Sequence, residues 1–284
     1  MIRKAKTPGA AKGLARTLII LVLIFLLGCA SGADRGALDG KERLLFVGNS
    51  LTYVGNLPAV FEALAEANGR TVSSDMIVRG GATLSERVSD RSVERALDER
   101  RYTALILQER GGDLTCSFGS ESCARSRRAI ADLAALATSR GVQVFLLGSY
   151  QAHPDASRER VREESAAAAA AGLPYLDVSS RLQKLLLEAP QLAWFAPDGM
   201  HPGQDLALLN AVVTYRALFG TLPAKKDLTV VAPIYGSRSG LTEALRAADA
   251  RPPLPDTPGK VSYSAQTLGK LIGTLVGKPA GDRS

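Results

Sequence analysis

The sequence is poor in the residues that build metal and redox centres, with only two histidines and three cysteines among 284 residues. Its purely apolar run, Leu18–Leu27, is ten residues long, whereas an idle helix crossing a bilayer needs about 20. No zinc signature appears, no glycine loop of the phosphate-cradling kind, and no pair of carboxylates at a defined catalytic spacing. Metal, nucleotide and multi-span membrane chemistry are therefore poor readings, and nothing implies a cofactor.

A net charge of +7 points to an anionic partner only until the charge is located. Arg3, Lys4, Lys6, Lys12 and Arg16 all precede the apolar run, with no acidic residue among them. Removing residues 1–28 lowers the basic count from 35 to 30, against 28 acidic residues. The basicity belongs to the leader, and nucleic acid is not an expected partner.

A basic stretch followed by a short apolar one is the layout of a secretory signal. Leu26-Leu27-Gly28-Cys29 ends it and resembles a bacterial lipobox, whose cysteine is acylated and becomes the first mature residue. The resemblance implies a lipid on Cys29 that tethers the protein to a membrane. Ala30 and Ser31 bring no acidic retention signal, which favours the outer membrane, facing the periplasm or the cell surface. The plainer alternative is an ordinary signal peptide with an incidental cysteine. Cys116 and Cys123, seven apart in a Gly/Ser-rich stretch, read in an oxidising compartment as a local disulfide.

Residues 29–40 are small and polar and read as a flexible tether. A domain follows over 41–221, and then an extension over 222–284 in which the proline-rich Ala250–Pro258 excludes regular structure and Tyr263–Val276 suits a closing amphipathic helix. Within the domain, short apolar runs at 44–47, 71–78, 104–107, 142–147 and 173–178 alternate with helical patterns at 57–68, 124–140, 160–171 and 206–219. The runs are continuously apolar, as strands covered on both faces are. The alternation predicts an α/β fold, a three-layer α/β/α sandwich with a five-stranded, mainly parallel sheet, with function at the carboxyl ends of its strands.

The first run leads directly into Gly48-Asn49-Ser50-Leu51-Thr52. A serine there stands at a strand's carboxyl end and near a helix N-terminus, where free N–H groups favour a developing anion. Alone, such a serine is as readily a turn or cap residue. A second segment, Asp198-Gly199-Met200-His201-Pro202, supplies an imidazole with a carboxylate three residues before it, the pair that a serine nucleophile requires. The other histidine, His153, also follows a strand but has no aspartate at this offset. Trp194 and Phe195 line the site or anchor this loop, and Tyr53 and Asn56 contact a substrate or shape the turn.

These two segments resemble the first and last sequence blocks of the SGNH (GDSL-type) hydrolases, particularly the branch with Gly-Asn-Ser-Leu-Thr, over about residues 43–218. The resemblance implies a flavodoxin-like fold and a serine hydrolase of carboxylic esters, with Ser50 as nucleophile, His201 as general base and Asp198 orienting it. It implies oxyanion donors at the Ser50 N–H, at Gly80 or Gly81, and at a side-chain amide after the third strand. The chain departs from the family's Gly-x-Asn-Asp at that strand and has Leu107-Gln108-Glu109-Arg110 instead. Gln108 carries the same amide on a longer stem and serves either as donor or as a strand-end residue bonding a neighbouring loop. Location and resemblance together imply short acyl groups on glycans or envelope polymers as substrates. The alternative is a non-catalytic envelope lipoprotein that binds a glycan or a protein partner.

Overall fold

The computed structural model describes Met1, residues 42–251 and residues 257–276. The expected signal, Cys29 and the expected tether lie outside the described residues, as does part of the proline-rich stretch.

The chain runs β1 (Glu42–Gly48), α1 (Ser50–Tyr53), α2 (Leu57–Ala67), β2 (Val72–Val78), α3 (Leu84–Ser89), α4 (Ser92–Glu99), β3 (Ala104–Leu107), α5 (Ser120–Thr138), β4 (Gln143–Leu147), α6 (Pro154–Ala170), β5 (Tyr175–Leu176), α7 (Ser179–Glu188), α8 (Gln204–Phe219), β6 (Leu228–Val230), β7 (Arg246–Ala247), β8 (Val261–Tyr263) and α9 (Ala265–Val276). Among the described residues one sheet has the order β5-β4-β3-β1-β2-β7, and β6 and β8 form a separate antiparallel pair.

The first five strands are parallel, as their patterns predict, and β7 adds a sixth, antiparallel edge strand beside β2. Side chains alternate between the two faces, which explains why the strands read as unbroken apolar runs. Leu44 and Phe46 enter the core beneath α2, α7, α8 and α9, whereas Leu45 and Val47 enter the core beneath α4 and α5. The result is a three-layer α/β/α sandwich.

Strand order reverses between β1 and β3, and the crevice at such a switch point is where open α/β sheets place their ligands. The register pairs Gly48 with Val78 and Val47 with Leu107, so Asn49-Ser50, Arg79-Gly80 and Gln108-Glu109 leave the sheet at one edge.

Three differences from the sequence patterns have physical reasons. β5 is only two residues long, because Pro174 has no N–H to give to a ladder and contributes only its carbonyl, to Leu146. Helix α6 starts at Pro154 rather than near 160, because His153 caps it and proline suits the first helical turn. The segment after residue 221, set apart by its composition, is built into the domain. Tyr235 O accepts from Gly55 N, Ala248 N donates to Ser74 O, and α9 buries Leu268, Leu271 and Ile272 in the larger core.

Candidate active site

At the end of β1 the chain turns so tightly that Gly48 has no room for a side chain. A Cβ there would lie 2.2 Å from Thr52 Oγ1 and 3.0 Å from the Gln108 carbonyl oxygen. Asn49 then caps α1, its Oδ1 accepting from Leu51 N at 3.0 Å, while its Nδ2 donates to the Gln108 carbonyl at 3.3 Å. Ser50 follows half-buried. As the first residue of the helix it has no intrahelical acceptor for its N–H, and no protein group bonds its hydroxyl among the described residues.

Asn56, fully buried, fixes the far side of this turn. Its Nδ2 donates to Pro233 O at 2.7 Å and to Ala248 O at 2.9 Å, and its Oδ1 accepts from Ala59 N at 3.3 Å. Tyr53 is also buried and donates its hydroxyl to Ser237 O at 3.3 Å. Both residues shape the turn and clasp it to the C-terminal segment.

The Asp198/His201 loop is a small antiparallel excursion between Trp194 and Gly203. Gly203 N donates to Trp194 O at 2.8 Å and Ala196 N to His201 O at 2.9 Å. Gly203 is the pivot, since a Cβ there would sit 2.1 Å from Ala193 O. Trp194 is buried, with its Nε1 on Ala189 O at 3.0 Å, and anchors the loop. At the tip, Gly199 N closes a turn onto Ala196 O with Pro197 at its second position, which presets the backbone for Asp198.

Asp198 then uses both of its oxygens locally. Oδ1 accepts from Met200 N at 3.0 Å and from His201 N at 2.9 Å, and Oδ2 lies 2.8 Å from His201 Nδ1. The backbone bonds, first that from His201 and then that from Met200, hold this carboxyl well below the usual aspartate range, and the bond from the imidazole adds to them. An ionised Asp198 fixes the proton of His201 on Nδ1 and leaves Nε2, which has no partner among the described residues, as the basic nitrogen.

Loop and turn meet at one edge. A Cβ on Gly55 would lie 2.9 Å from Ala207 Cβ, at the start of α8 just after His201. Among the described residues Ser50 Oγ and His201 Nε2 are not hydrogen-bonded to each other, and neither is engaged elsewhere. His153 does different work: it caps α6, its Nδ1 accepting from Asp155 N at 3.2 Å.

Gly80 and Gly81 form a turn closed by Ala82 N on Arg79 O at 3.1 Å. It adjoins the Ser50 turn, with a Cβ on Gly80 reaching 3.3 Å from Tyr53 Oη.

Gln108 makes the strand-end contacts that were the alternative to a donor role. It is buried, its Oε1 accepts from Thr52 Oγ1 at 2.8 Å, and its Nε2 donates to Gly148 O at 3.3 Å. The longer stem carries the amide into the sheet edge, where it ties α1 to the end of β4.

Sequence reading passed over Glu109, which is buried beside Gln108. Its carboxylate accepts from Arg110 N at 2.8 Å and Leu84 N at 3.2 Å, and desolvation pushes its pKa up to about 7. The signal available was an acidic residue at the end of an otherwise apolar strand.

Cys116 and Cys123 are joined in a disulfide that closes the loop before α5, carrying the exposed Phe118 under the Arg110 guanidinium at 4.2 Å. Among the described residues no group of three or more His, Cys, Asp or Glu side chains is placed to hold a metal ion, and no helix is long and apolar enough to cross a membrane.

No family model matches the chain, and no curated protein matches it in sequence. Solved structures do. A candidate SGNH hydrolase from Slackia heliotrinireducens is 24% identical with a TM-score of 0.50, covering 61% of this chain and 97% of its own. A DUF4886 family protein from Bacteroides uniformis is 14% identical with a TM-score of 0.53, covering 64% and 84%. An acetyl xylan esterase from Geobacillus stearothermophilus is 14% identical with a TM-score of 0.51, covering 62% and 93%. The chain has the fold of the SGNH hydrolases.

Proposed function

We propose that this protein is a serine hydrolase of carboxylic esters, with Ser50 as nucleophile, His201 as general base and Asp198 as its orienting partner. The observation that carries the reading is the 2.8 Å contact between Asp198 Oδ2 and His201 Nδ1, on a loop that leads into α8 where Ala207 abuts Gly55, five residues after Ser50.

In the proposed cycle His201 Nε2 takes the Ser50 proton as Oγ attacks the ester carbonyl. Asp198 stabilises the imidazolium that results. The Ser50 N–H and an N–H of the Gly80–Gly81 turn hold the oxyanion. His201 returns the proton to the departing alcohol, and water, activated by the same base, releases the acid from Ser50.

Short acyl groups on glycans or envelope polymers are the proposed substrates. The acetyl xylan esterase among the structural neighbours supports this class. So does the sequence pattern of an exported chain lipid-anchored through Cys29 at the outer membrane.

A second reading, a non-catalytic envelope lipoprotein that binds a glycan or a protein, is favoured by one feature, the engagement of the Gln108 amide in the interior.

The test is hydrolysis of p-nitrophenyl acetate, butyrate and octanoate and of an acetylated xylo-oligosaccharide. The expected result is acetate preferred over octanoate, acetate released from the sugar, and activity reduced at least about 10³-fold in S50A and H201A. Binding of the acetylated sugar without turnover by folded wild type would support the second reading.

A further inference from the structure

The Gly80–Gly81 turn has no regular structure of its own to hold it in place. It hangs between the end of β2 and the start of α3, and its N–H groups matter only if they stand at a fixed height beside Ser50. Oxyanion donors act by being preorganised, and a displacement of about 1 Å can cost on the order of 10²-fold in rate.

The downstream end of the turn is pinned at Leu84, the first residue of α3. Thr83 caps this helix, with Glu86 N on Thr83 Oγ1 at 3.3 Å and Thr83 N on Glu86 Oε2 at 2.8 Å. The capping box fixes the helix start relative to itself, not relative to the sheet. The Leu84 side chain packs into the core with Leu45 and Val47, and the polar link from its backbone to the sheet is Glu109, whose Oε1 and Oε2 lie 3.2 and 3.4 Å from Leu84 N. The same carboxylate accepts from Arg110 N at 2.8 Å and from the buried Ser126 hydroxyl of α5.

A second brace arises one residue later. Arg110 Nη1 reaches the Gly81 carbonyl at 3.5 Å, and the fully buried Asp113 grips its guanidinium at 2.8 and 3.0 Å. Both braces start from the end of β3, the strand beside the one that carries Ser50. A carboxylate in this apolar wall is expensive to bury, and an aliphatic residue would fill the space at lower cost.

We propose that Glu109 is the positioning residue of the oxyanion turn. From the end of β3 its carboxylate holds the Leu84 N–H, and so sets the Gly80–Gly81 N–H groups against Ser50. This rests on the serine hydrolase reading above, but the bond it invokes can be tested without turnover.

The experiment uses the folded domain with E109A, E109Q and L84P. Proline at 84 removes the N–H that Glu109 accepts. It is tolerated at a first helical position and suits the extended Thr83 before it, at φ −104° and ψ 158°. In E109A, kcat for p-nitrophenyl acetate is expected to fall about tenfold or more, with KM within about twofold, because an interaction made only in the transition state is weakened. E109Q retains an acceptor oxygen and is expected to stay within about threefold of wild type. L84P is expected to reproduce the kcat loss, with the E109A/L84P double variant no worse than the poorer single one.

Hydrogen exchange at the Leu84 amide supplies a readout that does not need activity, and it should accelerate at least about tenfold in E109A. Unchanged kcat in E109A with wild-type turnover intact would overturn the positioning role alone. Unchanged Leu84 exchange would overturn it even if wild type proved inactive, whereas an inactive wild type with accelerated exchange would overturn only the hydrolase reading. Should E109A fail to fold, E109L, which removes the acceptor oxygens while filling the space, carries the same two outcomes.

Discussion

The Ser50 turn and the Asp198/His201 loop are held by opposite means. The Ser50 turn is tied down over long distances: Asn49 and Thr52 bond to Gln108, and Asn56 bonds to Pro233 and Ala248, with separations of 56 to 192 residues. The Asp198/His201 loop closes on itself, with every bond to Asp198 coming from within three residues. One half of the site depends on the whole fold, and the other carries its own geometry.

The largest expected effect probes the self-contained half. Asp198→Asn keeps an oxygen for the Met200 and His201 N–H groups but turns an N–H₂ toward Nδ1, which stabilises the wrong imidazole tautomer. kcat is expected to fall about 10⁴-fold with little change in melting temperature. A large loss of stability would show that the loop is not autonomous.

The long-range half should respond in the reverse sense. Asn56→Ala strands the Pro233 and Ala248 carbonyls in the interior and places alanine at φ 53°. Unfolding in urea should show a loss of about 3 kcal/mol. Gln108→Leu sharpens the same point on a smaller scale. If its amide is structural, stability falls by about 1–3 kcal/mol and kcat changes less than tenfold. A fall in kcat of about 10²–10³-fold at unchanged stability would instead make it an oxyanion donor.

The smallest effect is a pH dependence. Glu109 titrates near 7 in the folded protein against an ordinary value of 4.5. Between those values the folded state holds a proton that the unfolded chain has released. Its contribution is therefore fully present below about pH 4.5 and lost as the pH rises through about 7. E109Q removes the ionisation, so the melting temperature of the variant relative to wild type should rise between pH 4 and pH 8; a flat difference would contradict a buried, ionising Glu109.

The same contrast explains what was legible in the sequence. The contact between Asp198 and His201 could be read because their relation is three residues long, and the parallel strands because each carries a short apolar run between helical patterns. The place of Ser50 at the end of β1 could be read from the turn. The Gln108 interior bond, the Asn56 clasp and the Glu109 brace could not, because each depends on which strands become neighbours. The C-terminal segment was opaque for the same reason: Tyr235 and Ala248 receive the nucleophile turn through backbone carbonyls, which leave no mark on side-chain identity. Helices α3, α4 and α7 carry weaker signals than the long amphipathic helices, being short and interrupted by charge.

The most direct test of the central claim is labelling of the folded domain with a fluorophosphonate, mapped to a single peptide by mass spectrometry. The expected result is a covalent adduct on Ser50, absent in S50A and strongly slowed in H201A. A folded wild type that takes no label on Ser50, or a label indifferent to H201A, would contradict the claim that Ser50 is a nucleophile served by the Asp198–His201 pair.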